Sequence, residues 1–406
     1  MKICMLCYRA NPFCGGQGIY LKYVAEALAG LGHEVHAIVG PPYPLPMKGV
    51  RVHYLPNSGY FVRKGLDIIN PESPFDIFSP LNLYEYVSTR YRAFSEINAF
   101  SFRAYFRLKE LLKTEHFDVI HDNQCLGYGF LLMKNLGVPL ISTIHHPLTI
   151  DLENVIERGV SFKEKAKGVS FYPLVMQRIV AKRLDHVITV SEDSKLRIHE
   201  AFGVPLEKQS VIYNGLDRTV FRVIPGVKKK KGKIIFVGNV EDGKKGFAYL
   251  VKALSMVKTG VKLTVVDGGA PHRKITSQLI KTLGLNEKIE FTGKIDVNAL
   301  VRHYNESELA IVPSVYEGFG FPAAEAMSCG VPVIASDGGA LPEVVGGAGI
   351  VVPARDHTAL ASAIESAMND RKALARMGRE GIARVAACFD WDNAAKEMVT
   401  VYEKFL

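Results

Sequence analysis

Short apolar runs alternate along this chain with amphipathic stretches of helical length, a pattern that predicts a parallel sheet with helical crossovers. Residues 2–8 read as the opening strand. They lead through a glycine turn at Gly15, Gly16 and Gly18 into a helix that places Tyr20, Val24, Ala27, Leu28 and Leu31 on one face. Residues 32–39 end that helix and supply a second strand. Further strands are expected at 50–55, 117–121, 138–143, 185–190 and 210–213, with a helix at 126–136. The pattern restarts at 233–238, where a strand and a turn precede a helix carrying Leu250, Val251, Leu254 and Val257. Strands at 261–266, 289–292, 309–313 and 331–335 follow, then helices at 354–368, 371–388 and 391–406. Strand, glycine turn and helix open a Rossmann-like unit, and they occur twice. The fold class is therefore α/β. The run from Ile224 to Gly232 is rich in lysine, proline and glycine and has little to bury. It sets the expected division: a first domain at 1–218, a linker at 219–232, a second domain at 233–388 and a last helix at 389–406.

The densest chemistry lies between Ser314 and Ser336. Gly318 and Gly320 let a ligand approach the backbone, and Pro322 suits the first position of a helix because its missing N–H costs nothing there. A helix that starts in this way aims free amides and the positive end of its dipole at the loop, which favours a phosphate. Glu317 precedes the glycines and Glu325 follows them, with seven residues between. As acceptor-only carboxylates they suit sugar diols on either side of a diphosphate. They serve equally as a solvated loop residue and a partner of the helix dipole.

Composition bounds the reading. At 406 residues the chain exceeds one ordinary core. No apolar run approaches the roughly 20 residues of a membrane span, and the N-terminal run ended by Arg9 is too short for a signal-peptide core, so a cytoplasmic protein is expected. The six cysteines are scattered among apolar residues and suggest no disulfide framework; Cys4 and Cys7 point to opposite faces of a strand. Gly15, Gly16 and Gly18 do not spell the dinucleotide fingerprint, so NAD is not implied. His145 and His146 lack the spacing of a helical metal site, and no other metal cluster is evident. A net charge of +9 invites a polyanion, nucleic acid or an anionic membrane, and no nucleic-acid module supports the first. Aromatic and basic residues interleave from Tyr84 to Arg107, among them Tyr91, Arg92 and Phe94. Arg158, Lys163, Lys165, Lys167, Arg178, Lys182 and Arg183 form a second basic stretch. Either segment can face lipid phosphates or merely solvate a helix edge.

Glu317-Gly-Phe-Gly-Phe-Pro322, Glu325-Ala, Gly330-Val-Pro-Val-Ile-Ala335 and Pro342-Glu-Val-Val345 together strongly resemble the family 4 retaining glycosyltransferases. The resemblance covers nearly the whole chain, least well between residues 60 and 112. It implies the GT-B fold, two facing Rossmann-like domains with the C-terminal helix crossing back to the first. It also implies metal-independent transfer from a nucleotide-diphosphate sugar, GDP- or UDP-linked, with no cofactor and no protein nucleophile. Attack would come on the front face, with a phosphate oxygen taking the acceptor proton.

Carried over position by position, the resemblance places His145 near the transferred sugar and Lys245, with Lys244, on the donor diphosphate. Gly15 and Gly16 close over donor or acceptor, and Lys294 and Ile295 flank the base. Glu317, Gly318, Phe319, Gly320, Phe321, Pro322 and Glu325 line the donor. Asn239 departs from the family, which carries an arginine there, and an asparagine supplies no charge. Asp390-Trp-Asp392 spells the metal motif of a different transferase fold; its place before a helix makes it an N-cap instead. The acceptor is expected on the first domain, and the basic, aromatic segments favour a lipid-linked one at the inner membrane face. An epimerase or hydrolase on the same fold, a soluble-acceptor transferase and a non-catalytic binding protein are the alternatives.

Overall fold

A computed structural model describes residues 1–11, 16–56, 78–90, 95–158, 171–268 and 274–406. The chain forms two compact units. One holds residues 1–190, 194–212 and 391–406, and the other residues 191–193 and 213–390.

In the first unit, strands β1 (Lys2–Cys7), β2 (Glu34–Val39), β3 (Val50–Tyr54), β4 (Val119–Asn123), β5 (Leu140–Ile144), β6 (His186–Thr189) and β7 (Gln209–Val211) form one parallel sheet. Their order is β3-β2-β1-β4-β5-β6-β7, so the winding reverses between β1 and β4. The central strand β1 is sealed from Ile3 to Cys7, as its unbroken apolar run requires. Burial pushes the Cys7 thiol up to about 12, which makes it an inert packing group. Tyr20, Val24, Ala27 and Leu28 of the helix Gly16–Gly30 are buried. Leu31 is not: the helix has ended, and Gly32 at φ +89° turns the chain away, leaving Leu31 exposed.

The helix expected at 126–136 shrinks to Gly129–Met133 with a 3₁₀ turn over Lys134–Leu136. Its start is delayed by the Asp122 carboxylate, which accepts from Cys125 N at 3.0 Å, Leu126 N at 3.4 Å and Ser142 Oγ at 2.7 Å. That turn holds Gln124 and Leu126 at positive φ, which a helix forbids. The terminal helix Trp391–Tyr402 packs within this unit. Trp391 stacks on Tyr23 with ring centroids 5.5 Å apart, and Tyr402 Oη bonds His121 Nδ1.

The aromatic, basic segment folds as the helices Pro80–Arg90 and Glu96–Leu111. Its charges are less bare than the sequence suggests. Arg103 bonds Glu85 at 2.7 Å and Asn82 at 2.6 Å, and Arg107 reaches Glu110 at 3.2 Å. Tyr91, Arg92, Phe94, Lys163, Lys165 and Lys167 and the side chain of Arg158 lie outside the described residues.

In the second unit, β8 (Lys233–Val237), β9 (Lys262–Val266), β10 (Ile289–Phe291), β11 (Leu309–Val312), β12 (Val333–Ser336) and β13 (Ile350–Val352) form a parallel sheet ordered β10-β9-β8-β11-β12-β13. Here the winding reverses between β8 and β11. Strand β13 is too short to register as an apolar run. The helix expected from 354 begins at His357, because the Asp356 carboxylate caps Thr358 N and Ala359 N at 2.9 Å. The stretch read as a linker is fastened to this unit instead. Ile224 N donates to Asn305 Oδ1 at 2.8 Å, Lys229 Nζ to Ser307 O at 2.7 Å and Gly232 N to Glu308 Oε2 at 2.7 Å. Glu306 collects Lys230 at 2.9 Å and Lys233 at 2.8 Å, so the lysine run has partners, and the division falls at 212/213.

Candidate active site

In the second unit, the carboxyl ends of β8 and β11 flank the point where the winding reverses, the usual ligand position in an open α/β sheet. Beyond β8 the chain makes two side-chain-capped turns. Asn239 Oδ1 accepts from Glu241 N at 3.0 Å, and Asp242 Oδ1 from Lys244 N at 3.0 Å. Asn239, standing where an arginine was expected, thus shapes its own loop. Gly246 then takes φ +68°, and a Cβ there would lie 1.8 Å from Pro313 O. Only glycine lets the lysine turn close on the end of β11, where Lys244 O accepts from Val315 N at 2.6 Å.

This close approach joins Lys245 to Glu317. Lys245 Nζ donates to Glu317 Oε1 at 2.7 Å, and Ser314 Oγ donates to the same oxygen at 2.8 Å. The Glu317 main chain is held by Gly338 O at 3.3 Å and Ala340 N at 2.9 Å, so the loop before Pro342 braces the carboxylate from behind. Gly318 follows, and Gly320 caps the helix Phe321–Ser328 at φ +105°, with Pro322 in the first turn. Ala323 N already donates to Gly320 O at 3.0 Å and Pro322 has no N–H, so the amides that can meet an anion narrow to the loop and the helix start.

Two donor-lining residues differ from expectation. The Phe319 side chain is buried between Phe321 and Phe389, with centroids 5.1 and 5.2 Å away, so it anchors the loop and offers a ligand only its backbone. Glu325 accepts from Tyr304 Oη at 2.9 Å. Although one edge of it is accessible, desolvation raises its pKa to about 7 against the pull of that bond and of Lys245. It is therefore part-protonated at neutral pH rather than a pure acceptor. Lys294, exposed, and Ile295, half-buried, follow β10 at the sheet edge, two strands from β8. Two strand spacings are roughly 10 Å, within the span of a nucleoside diphosphate.

In the first unit, His145 follows β5. Its ring Nε2 lies 2.8 Å from Asn123 Oδ1, its main-chain N donates to Gln124 Oε1 at 2.7 Å, and Gln124 Nε2 donates to His146 O at 2.6 Å. The Tyr20 ring meets it edge-on at 4.9 Å. Burial lowers the His145 pKa to about 3, so the imidazole is neutral. Gly16 is exposed at the start of its helix, and Gly15 lies outside the described residues. Asn123 and Gln124 escaped the sequence reading. The available signal was the polar trio Asp122-Asn123-Gln124 directly after an apolar strand. Glu34, His36 and Glu115 also come within ligand distance of one another, at the start of the strands, with Lys2 Nζ bonded to both carboxylates.

Family models match both halves of the chain: "Glycosyltransferase Family 4" over residues 14–220 and "Glycosyl transferases group 1" over residues 217–384. The chain is 34% identical to an MMP alpha-(1->4)-mannosyltransferase of Mycolicibacterium hassiacum, an alignment that covers 100% of this chain and 98% of that protein. Its fold matches sucrose-phosphate synthase from Thermosynechococcus elongatus, with a TM-score of 0.76 at 23% identity over 100% and 98% of the two chains. It also matches Anabaena HepE in complex with UDP-glucose, with a TM-score of 0.69 at 21% identity over the full length of both. With a relative that close along its entire length and a family model on each half, the chain belongs to glycosyltransferase family 4 and is a GT-B glycosyltransferase.

Proposed function

We propose that this protein is a retaining, metal-independent hexosyltransferase that moves a sugar, mannose first among the candidates, from a GDP- or UDP-linked donor to an acceptor hydroxyl. The observation that carries the reading is the Lys245–Glu317 pair at the reversal between β8 and β11, beside the glycine-capped start of the helix Phe321–Ser328. A lysine and loop amides suit the diphosphate that gains charge as the glycosidic bond breaks. The acidic neighbour suits hydroxyls of the transferred sugar. Mannose is favoured by the name of the 34%-identical relative, and a nucleotide-diphosphate donor by the UDP-glucose complex of HepE. No cofactor is needed, because leaving-group charge and acceptor proton can both be taken up by the diphosphate and its cationic cradle. The acceptor is a lipid-linked or amphipathic molecule met at a membrane surface. That part rests on the +9 charge and on the exposed Leu83, Tyr84, Val87 and Arg90 of the helix Pro80–Arg90.

The test is a panel of GDP- and UDP-sugars scored by the melting transition, then by turnover with EDTA present and the anomeric form of the product. A donor at about 100 times its Kd adds about 2.7 kcal/mol of stability. A panel with no stabilising member, inversion of the anomeric centre, or activity lost to EDTA and restored by manganese each removes the corresponding part.

A further inference from the structure

The surroundings of His145 fix which of its nitrogens carries the proton. Asn123 is fully buried at the end of β4, and its amide nitrogen lies 2.8 Å from Gln17 O. A main-chain carbonyl can only accept, so the nitrogen of the Asn123 amide must face Gln17. A second contact, from Nδ2 to the Cys7 sulfur at 3.4 Å, agrees with that orientation. The Asn123 oxygen is thereby turned to His145 Nε2 at 2.8 Å, and an oxygen there requires an N–H. Among the described residues Nδ1 has no hydrogen-bond partner and the residue is half-buried, which leaves that nitrogen for solvent or ligand.

The main chain is fixed separately. Gln124 bonds His145 N and His146 O, and Ser194 Oγ donates to His145 O at 2.9 Å. The Tyr20 ring, itself pinned through its hydroxyl to Thr143 Oγ1 at 2.6 Å, closes one side of the imidazole.

We propose that Asn123 is a positioning residue that holds His145 in the tautomer protonated on Nε2, so that Nδ1 presents a lone pair to a hydroxyl of the reactants. The role in transfer rests on the glycosyltransferase reading above; the tautomer does not. An imidazole so held orients an O–H by accepting its hydrogen. It brings no positive charge near the reacting carbon, in keeping with the low pKa that burial imposes. Asn123 works through His145, much as the outer partner of a metal-bound histidine fixes which nitrogen is free.

The experiment begins with the native protein labelled with ¹⁵N-histidine. Two-bond proton–nitrogen spectra, with His145 assigned by its loss in His145→Gln, should show a pyrrole-like Nε2 and a pyridine-like Nδ1. The reverse pattern, or a doubly protonated ring at pH 7, overturns the proposal without reference to activity. In Asn123→Ala the two tautomers should mix and kcat should fall about ten-fold, the scale of one lost hydrogen bond to a partner group. Nucleotide binding to the other unit should not change. Asn123→Asp keeps an acceptor oxygen and should keep the pyrrole-like Nε2 even if its new oxygen against Gln17 O lowers the melting point. Adding Asn123→Ala to His145→Ala should cost little more, since both act through one imidazole. Full turnover in Asn123→Ala with mixed tautomers defeats the positioning role. Full turnover in His145→Ala, with the tautomer as assigned, defeats instead the part given to His145 in transfer.

Discussion

Lys245 Nζ and Glu317 Oε1 lie 2.7 Å apart, with 25% and 11% of their side chains exposed, so the two groups best suited to a donor neutralise each other in its absence. On the proposed reading, a bound diphosphate competes with the carboxylate for the ammonium. Two substitutions should therefore part company. Glu317→Gln frees the lysine, and GDP or UDP should bind at least as tightly as to the native chain, while transfer falls on the order of 10²-fold for want of the sugar contact. Lys245→Ala should lose nucleotide binding and transfer together. Both variants should stay folded, Lys245→Ala with the lower melting point, because it leaves a carboxylate only 11% exposed without its cation. Calorimetry with the nucleoside diphosphate reads the split, and equal weakening by both variants is the result against it.

Glu325 gives the site a pH dependence. Its folded pKa, about 7, is above the ordinary 4.5, so the native state holds a proton that the unfolded chain has released between those values. Stability should fall as pH rises through that window and level off above it, and Glu325→Gln should flatten the slope. Hydroxyls donated by a ribose favour the ionised form, so nucleotide binding near pH 7 should release a proton. Calorimetry in two buffers of different ionisation enthalpy measures the number. Tyr304→Phe, by deleting the 2.9 Å bond to the carboxylate, should move the release to higher pH. Binding with no proton exchanged between pH 6 and 8 would remove Glu325 from the ribose.

Gly246 tests whether the lysine loop must sit where it does. Gly246→Ala puts a methyl 1.8 Å from Pro313 O at a φ of +68°. The turn has to lift, carrying Lys245 off Glu317, and both stability and nucleotide binding should suffer. Gly284 has nearly the same φ, +66°, but nothing within 4 Å. Gly284→Ala should cost about 1 kcal/mol of backbone strain and leave nucleotide binding intact. Thermal unfolding and calorimetry on both variants decide it. Equal effects on binding would mean strain alone, not the approach to β11, is at work.

The glycine loop beside it made Glu317 legible in the sequence as a site residue, and Lys245 was legible only through its match to the family's lysine. That they touch was not, since they are 72 positions apart and meet only because β8 pairs with β11, a choice made by the packing of the whole sheet. Asn123 was hidden for the same reason. Amide side chains carry no periodic signal, and this one gains its meaning when β4 aligns with β5 and sets Asn123 opposite Thr143, two residues before His145. The lysine run read as a linker because the partners of Lys229 and Lys230, Ser307 and Glu306, lie far along the chain. The Gly129–Met133 helix was overdrawn because apolar periodicity cannot register a carboxylate, Asp122, that claims the amides a helix would need.

The helix Pro80–Arg90 carries the last prediction. Leu83, Val87 and Arg90 succeed one another at intervals of four and three residues, and all are exposed, so one helix face is apolar and ends in a cation. Phe106 on the following helix is exposed as well. Such a face enters a headgroup layer by its apolar side while the basic groups meet lipid phosphates, each worth roughly 1 kcal/mol. The three described arginines of the segment should then behave differently. Arg90→Glu, and to a smaller degree Arg107→Glu, should reduce flotation with anionic vesicles, and raised salt should do the same. Leu83→Glu with Val87→Glu should abolish it. Arg103→Glu should act on the fold, because Arg103 is 12% exposed and paired with Glu85; reversing it sets two buried acids together and should lower the melting point. Equal recovery with neutral and anionic vesicles, unmoved by salt or by Arg90→Glu, would leave the apolar face to some other use and make a soluble acceptor the better choice.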